Sequence, residues 1–304
     1  MRKRKTIVVS VAILMVLCVM SSGCTSGGNK IAVVPLNGPI QSGEAGLLFG
    51  GSVITPQLVR SQLERARQDD TVKAVVLQVE SPGGVVAACQ EIVNEIERVD
   101  KPIVVSMGSI AASGGYFISA KADKIVALPA TLTGSIGVIS QVPNLSGLYE
   151  KLGIEMEVFT SGKYKDMYAG VRELTPEERE LMQEMSDQLY DQFVQLVAES
   201  RDLSKEEVRA LATGQLYTGE QAKELGLVDE LGGLNTAIDL AASLAGIEQP
   251  EVEYYKPEIP SLLSSLLGMN IQKIQSFIQI QSLGAEGIIL LETLSNPYPE
   301  PQYR

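Results

Sequence analysis

Hydrophobic and polar positions alternate between two kinds of pattern along the first half of the chain. Short continuous apolar runs occur at Lys30–Leu36, Val72–Val79, Pro102–Met107 and Lys124–Leu128. Each is short enough, and close enough to turn residues, to predict a strand buried on both faces. Between them lie helical patterns. Thr55 before Pro56 predicts a helix start, with Leu58, Leu63 and Ala66 on one stripe. A second helix is predicted from Val85 to about Val99, and a third from Ser113 to Ala120. Strand, glycine turn, helix, strand is the rhythm of an α/β fold with parallel strands. A further strand is predicted at Ile154–Phe159.

The second half reads as helical. Thr175-Pro176-Glu177-Glu178 has the form of a capping box with proline at the first helical position. Leu181, Met185, Leu189 and Phe193 then recur every four residues and predict a face turned toward a partner surface. Ser204-Lys205-Glu206-Glu207 and Thr218-Gly219-Glu220-Gln221 repeat the capping pattern. From Gln249 the composition shifts. Pro250, Pro257 and Pro260 interrupt the chain, and two apolar pieces come after them, Ser261–Leu267 and Ile271–Ile280. They suit helices lying on a membrane, on a neighbouring subunit or on their own domain.

The N-terminus is of a different kind. Arg2, Lys3, Arg4 and Lys5 precede an apolar run, Thr6–Met20, and then Ser21-Ser22-Gly23-Cys24. This is the form of a secretory signal, which predicts export of the rest of the chain. Residues 1–24 are therefore expected to be a signal peptide or a retained membrane anchor, and 25–29 a linker. Cys24 after Gly23 fits a lipidation site, although Ser21 stands where such sites usually carry leucine. Either outcome places the domain on the outer face of the membrane.

Charge and composition narrow the chemistry. The 304 residues carry a net charge of −12, with no basic stripe beyond the N-terminus, which argues against a nucleic-acid partner. There is no histidine. That excludes a Ser-His-Asp triad, a Cys-His dyad and any imidazole zinc site. Of three cysteines, Cys18 and Cys24 fall in the leader, and Cys89 is expected to be a buried structural thiol. No cofactor is implied.

The candidate chemistry lies between Gly108 and Ile139. Small residues crowd this stretch, and Ser113 is placed at a strand-to-helix turn. There a hydroxyl can stand clear of the core beside free backbone N–H groups. Close packing alone would also favour a serine here, and the G-x-S-x-G elbow is absent. A nucleophilic serine needs a base, and without histidine a desolvated lysine is the natural one. Lys121, Lys124, Lys163 and Lys165 are the candidates; the first two come after the serine on or beyond its own helix and are expected to face solvent. Spacing does not choose between Lys163 and Lys165. Gly114 and a glycine of Ser81-Pro82-Gly83-Gly84, with Gly83 favoured, can supply oxyanion donors. Ser135 can hold the amine in place.

Four motifs occur together in order: S-P-G-G at 81–84, A-A-S-G-G-Y at 111–116, T-G-S-I-G-V at 133–138 and S-G-x-x-K-D at 161–166. In this the chain resembles the signal peptide peptidase A family, peptidase family S49, over roughly Lys30–Gly246. The resemblance implies a Clp protease/crotonase-like spiral of ββα units with a helical C-terminal part. It implies Ser113 as nucleophile, Lys165 as base, Ser135 in support and Gly83 and Gly114 as oxyanion donors. It also implies signal peptides and other apolar peptides as substrates, at a membrane, and a homo-oligomeric ring with Ser113 and Lys165 meeting near a subunit border. The peptidase domain is expected at 30–246, with 247–304 as an extension outside the resemblance. Other readings are a related Ser-Lys protease acting on a membrane-protein tail, a catalytically silent binding scaffold of the crotonase type, and an acyl-CoA crotonase; the export signal weighs against the last.

Overall fold

The computed structural model describes residues 28–43 and 52–255. The chain divides into two compact units, Met1–Lys256 and Pro257–Arg304, and the second lies outside the described residues. So do residues 1–27, on which the expected signal or anchor falls, most of the Gly-rich stretch after Gln41, and the apolar pieces of the tail.

Three long parallel strands form the centre: β1 (Lys30–Asn37), β2 (Val72–Ser81) and β3 (Ile103–Ala112). They read as unbroken apolar runs because both faces of the sheet are covered. Ala32, Val34, Leu36, Val75, Leu77 and Val105 point into the larger core, and Ile31, Val33, Ala74, Val76 and Val104 into the smaller one. The larger core packs under helices α1 (Pro56–Gln68), α2 (Val86–Ile96) and α3 (Gly114–Ala120). The smaller core is closed by a single late helix, Leu234–Ala245, through Ala237, Ile238, Ala241 and Ala242. The expected helix starts hold: Thr55 Oγ1 accepts the Leu58 N–H at 3.1 Å, with Pro56 first in the helix.

Strand β3 forks. Its first half, Val104–Ser106, pairs with β4 (Lys124–Ala127), and its last residues, Ile110–Ala112, pair with β5 (Leu132–Gly134). A short antiparallel strand, β6 (Leu216–Thr218), closes that edge on β5, and β7 (Glu230–Leu231) extends β4. The expected α/β layout with a parallel sheet is the one observed. The domain boundary is corrected. Beyond Gly246 the chain adds β8 (Glu251–Tyr254) in parallel to β1, and Tyr255 is buried, so the domain runs to Tyr255. Main-chain pairing on an exposed strand edge needs no apolar run, which is why residues after 246 read as an appendage.

The helical half begins with a short α4 (Ser146–Leu152), succeeded by α5 (Pro176–Arg201), α6 (Lys205–Leu211), α7 (Gly219–Glu224) and α8, the Leu234–Ala245 helix. All three capping boxes form, at Thr175, Ser204 and Thr218. Helix α5, 26 residues and so roughly 39 Å long, has two halves. Its C-terminal half is buried through Phe193, Val194 and Val197, with Phe193 edge-on to Phe117 at 5.0 Å. Its N-terminal half projects from the domain, and Met185 is exposed. The expected strand at Ile154–Phe159 is not formed: the segment pairs with no strand among the described residues, and Ile154, Met156, Val158 and Phe159 are exposed. Among the described residues no helix is long and apolar enough to cross a membrane.

Candidate active site

The site is built at the end of β3. There the register between β2 and β3 slips: Val79 pairs with Met107, but Ser81 pairs with Ala111. Glu80 holds the slack. Its carboxylate accepts the N–H of Ser109 at 2.6 Å and of Ile110 at 3.2 Å. The bulge turns the chain so that Ser113 leaves the sheet as the residue before α3.

Ser113 has φ 52° and ψ −120°, a conformation that costs a non-glycine residue about 1–3 kcal/mol. Its backbone is fixed on both sides. The N–H donates to the Gly134 carbonyl at 2.8 Å, and the carbonyl accepts the Phe117 N–H at 2.8 Å. Ser135 is strained likewise, with φ 49°, and its N–H donates to the Gln215 carbonyl at 2.8 Å. Neither side-chain hydroxyl has a hydrogen-bond partner among the described residues. Both open into one cavity of about 520 Å³, together with Gly84, Gly137, Val138 and Tyr190. A narrower apolar recess beside Ser113 is lined by Val86, Cys89, Phe117, Leu189 and Phe193. Cys89 is buried there, and burial pushes its thiol up to about 12, so it is an inert wall and not a nucleophile.

The two glycines of the S-P-G-G turn have different roles. Gly83 is buried, with φ +102°, and a Cβ there would lie 2.6 Å from the Gly114 nitrogen and 2.9 Å from Ser113 Cβ. Its N–H donates to the buried Ser81 Oγ at 3.1 Å. Gly84 is exposed to the cavity, and its N–H has no partner among the described residues. Gly114 opens α3, so its N–H has no acceptor within the helix. The free amides beside Ser113 therefore belong to Gly84 and Gly114, whereas the expected donor Gly83 is the close-packed hinge behind them. Sequence alone does not separate two adjacent glycines; the Ser81 hydroxyl does. Gly83→Ala is expected to lower stability by roughly 3 kcal/mol or more and to abolish any activity of Ser113, read as a fall in Tm alongside turnover.

Lys165 does not line either cavity of Ser113. It is exposed, and its amine makes no hydrogen bond or ion pair among the described residues. Lys163 is bound to Glu177, which also accepts from the Tyr164 hydroxyl. Lys121 pairs with Glu97 and Lys124 with Asp229. Lys165 is carried on an arm, residues 139–172, rich in uncovered apolar side chains; Ile139 is 83% exposed and Phe159 91%. Among the described residues no cluster of Cys, Asp and Glu has the arrangement of a metal site.

Residues 95–248 match Peptidase family S49, and residues 52–134 match the Clp protease family. The chain is 38% identical over 253 residues to an Enterococcus faecium protein whose name includes signal peptide peptidase SppA, covering 82% of this chain and 74% of that one. It is 36% identical over 275 residues to Protease 4 of Salmonella typhi, covering 87% of this chain and 44% of the longer relative. It is 35% identical over 253 residues to the chloroplastic serine protease SPPA of Arabidopsis thaliana, covering 80% of this chain and 37% of that protein. The S49 match spans the forked β3, Ser113, Ser135 and the lysine loop, and the Clp match gives the parallel sheet its fold; the chain belongs to peptidase family S49 and is a serine peptidase.

Proposed function

We propose that the protein is a Ser-Lys endopeptidase for apolar peptides, cleaved signal peptides among them, on the outer face of the cell membrane. Its dyad is shared: Ser113 and Ser135 of one protomer receive Lys165 from a neighbour in a homo-oligomer. One observation carries this reading. Among the described residues the two serines share a cavity that no lysine lines, while Lys165 stands unpartnered on an arm of uncovered apolar side chains. A second copy that covers the arm removes Lys165 from water, which favours the neutral amine a base must be.

The neutral Lys165 amine takes the proton from Ser113 Oγ as the oxygen attacks the scissile carbonyl. The carbonyl oxygen becomes an oxyanion between the N–H groups of Gly84 and Gly114. The ammonium returns the proton to the departing amine as the C–N bond breaks, leaving an ester on Ser113. Water, deprotonated by the same lysine, hydrolyses the ester. Ser135 Oγ accepts a hydrogen bond from the amine and aims it. The recess of Val86, Phe117, Leu189 and Phe193 beside Ser113 suits an apolar side chain next to the cleaved bond. The name of the Enterococcus faecium relative points to the same substrates.

The test is covalent labelling of the full-length protein with a fluorophosphonate, and then mapping of the labelled peptide. Label on Ser113, reduced by an apolar peptide substrate and not by an acidic one, is expected. Label elsewhere sinks the assignment. The membrane location has its own test, the mass of the mature N-terminus, which distinguishes an acylated Cys24 from an uncleaved leader.

A further inference from the structure

We infer that Arg172 is a positioning residue for Lys165: it clasps Asp166, the residue next to that lysine, together with Glu178 at the start of α5, and so keeps both carboxylates from holding the amine as its counterions. This rests on the reading of Lys165 as the base. The geometry is a four-toothed clasp. Arg172 donates Nε to Asp166 Oδ2 and Nη2 to Asp166 Oδ1, both at 2.8 Å. It also donates Nη1 to Glu178 Oε2 at 2.8 Å and Nη2 to Glu178 Oε1 at 2.7 Å. Asp166 is the residue directly after Lys165, and Glu178 lies in the first turn of α5, where its side chain also accepts the Thr175 N–H at 2.8 Å.

Around Lys165 the acids are many and their partners specific. On its own loop stand Lys163, Tyr164, Asp166 and Tyr168, and further on Arg172 and Glu173. The helix start packed against the loop brings Glu177, Glu178, Arg179 and Glu180. Glu177 is held by Lys163 and Tyr164, and Asp166 and Glu178 by Arg172. Among the described residues Lys165 is left as the cation of the loop with no partner. The Arg172 guanidinium holds the Glu178 carboxyl down to about 2 and the Asp166 carboxyl below the usual carboxylate range, so both stay ionised and engaged across the working pH. A carboxylate with no such partner, adjacent to a lysine, favours the charged amine. A charged amine takes no proton from a serine. A planar, bidentate guanidinium is the side chain suited to engage two carboxylates at once.

The experiment is the pH dependence of kcat/KM for an apolar fluorogenic peptide, measured on the full-length oligomer. Arg172→Gln is expected to move the acid limb of the profile up by roughly one pH unit, a loss of about tenfold at neutral pH that is recovered at alkaline pH. The triple variant Asp166→Asn, Arg172→Gln, Glu178→Gln lacks the clasp and also lacks the freed acids, and its limb is expected to return to the wild-type position. A role confined to holding the loop predicts the reverse, with the triple variant at least as impaired as the single one at every pH. An unmoved limb in Arg172→Gln, or a limb still displaced in the triple variant, overturns the inference. Should Arg172→Gln fail to fold, Arg172→Lys against the triple variant makes the same comparison. Lys165→Ala measured alongside separates the two readings: if it retains wild-type turnover, the base assignment itself has failed and the inference with it.

Discussion

Replacing Ser113 by alanine is expected to lower turnover of an apolar peptide by at least on the order of 10⁴-fold, with Tm unchanged. The two halves of that expectation have separate causes. The hydroxyl is the only group the substitution removes, and it makes no hydrogen bond among the described residues. Nothing in the folded state therefore depends on it. The strained backbone at φ 52° is imposed from outside, by the Gly134 carbonyl, the Phe117 amide and the tight packing of Gly83. Alanine inherits that strain unchanged. On the proposed mechanism the same oxygen forms the bond to the substrate, and neither Ser135 nor Cys89 takes its place. Ser135 shares the cavity, yet it is Ser113 and not Ser135 that directly precedes Gly114 at the start of α3. Cys89 is walled in and held protonated. Ser135→Ala, which on the proposed mechanism removes only the support for the amine, is expected to cost far less, on the order of 10²-fold. Steady-state kinetics with thermal melts of both variants check this. A Ser113→Ala protein that still cleaves at a tenth of the wild-type rate would show that the nucleophile lies elsewhere.

How far the sequence reached depended on whether a feature was recorded in side chains or in pairing. β1, β2 and β3 were legible because burial on both faces demands unbroken apolar runs, and the helix starts because caps demand particular residues at fixed spacing. β5 and β6, three residues each, are too short to show a period, and β8 is set by main-chain bonds to β1. Ile154–Phe159 has the alternation of a strand but no strand beside it among the described residues, so its pattern did not become pairing. At the site, the crowd of small residues marked Ser113. The distinction between Gly83 and Gly84 was invisible, since it rests on the sign of one φ and on where Ser81 Oγ points. Lys163 and Lys165 were equivalent by spacing, and the resemblance alone favoured Lys165; the ion pair of Lys163 to Glu177 was not legible. Arg172 gave no signal, because a surface arginine six residues after an aspartate has no meaning until the loop folds back on α5.

Co-assembly of two dead variants is expected to restore activity. Lys165→Ala alone should match Ser113→Ala in its loss, whereas Lys163→Ala should keep much of the wild-type rate, since its amine is tied to Glu177 and its removal leaves Lys165 in place. If each dyad takes its serine from one protomer and its lysine from the next, a head-to-tail ring mixed at equal proportions contains intact sites wherever a Lys165→Ala chain, whose serine is whole, is succeeded by a Ser113→Ala chain, whose lysine is whole. Random mixing makes that roughly one site in four, so about a quarter of wild-type turnover should return. A dyad within one chain predicts none at any ratio. Mixed assembly must be shown independently, by pulling down one tagged variant with the other, so that silence can be read. The same ring requires the arm to be covered. Phe159→Asp, a charge placed on the most exposed apolar side chain of the arm, should weaken assembly and activity together, and raising the protein concentration should restore both by mass action. Activity that survives in isolated Phe159→Asp protomers would mean that Lys165 reaches Ser113 without a neighbour, by a rearrangement of its own arm.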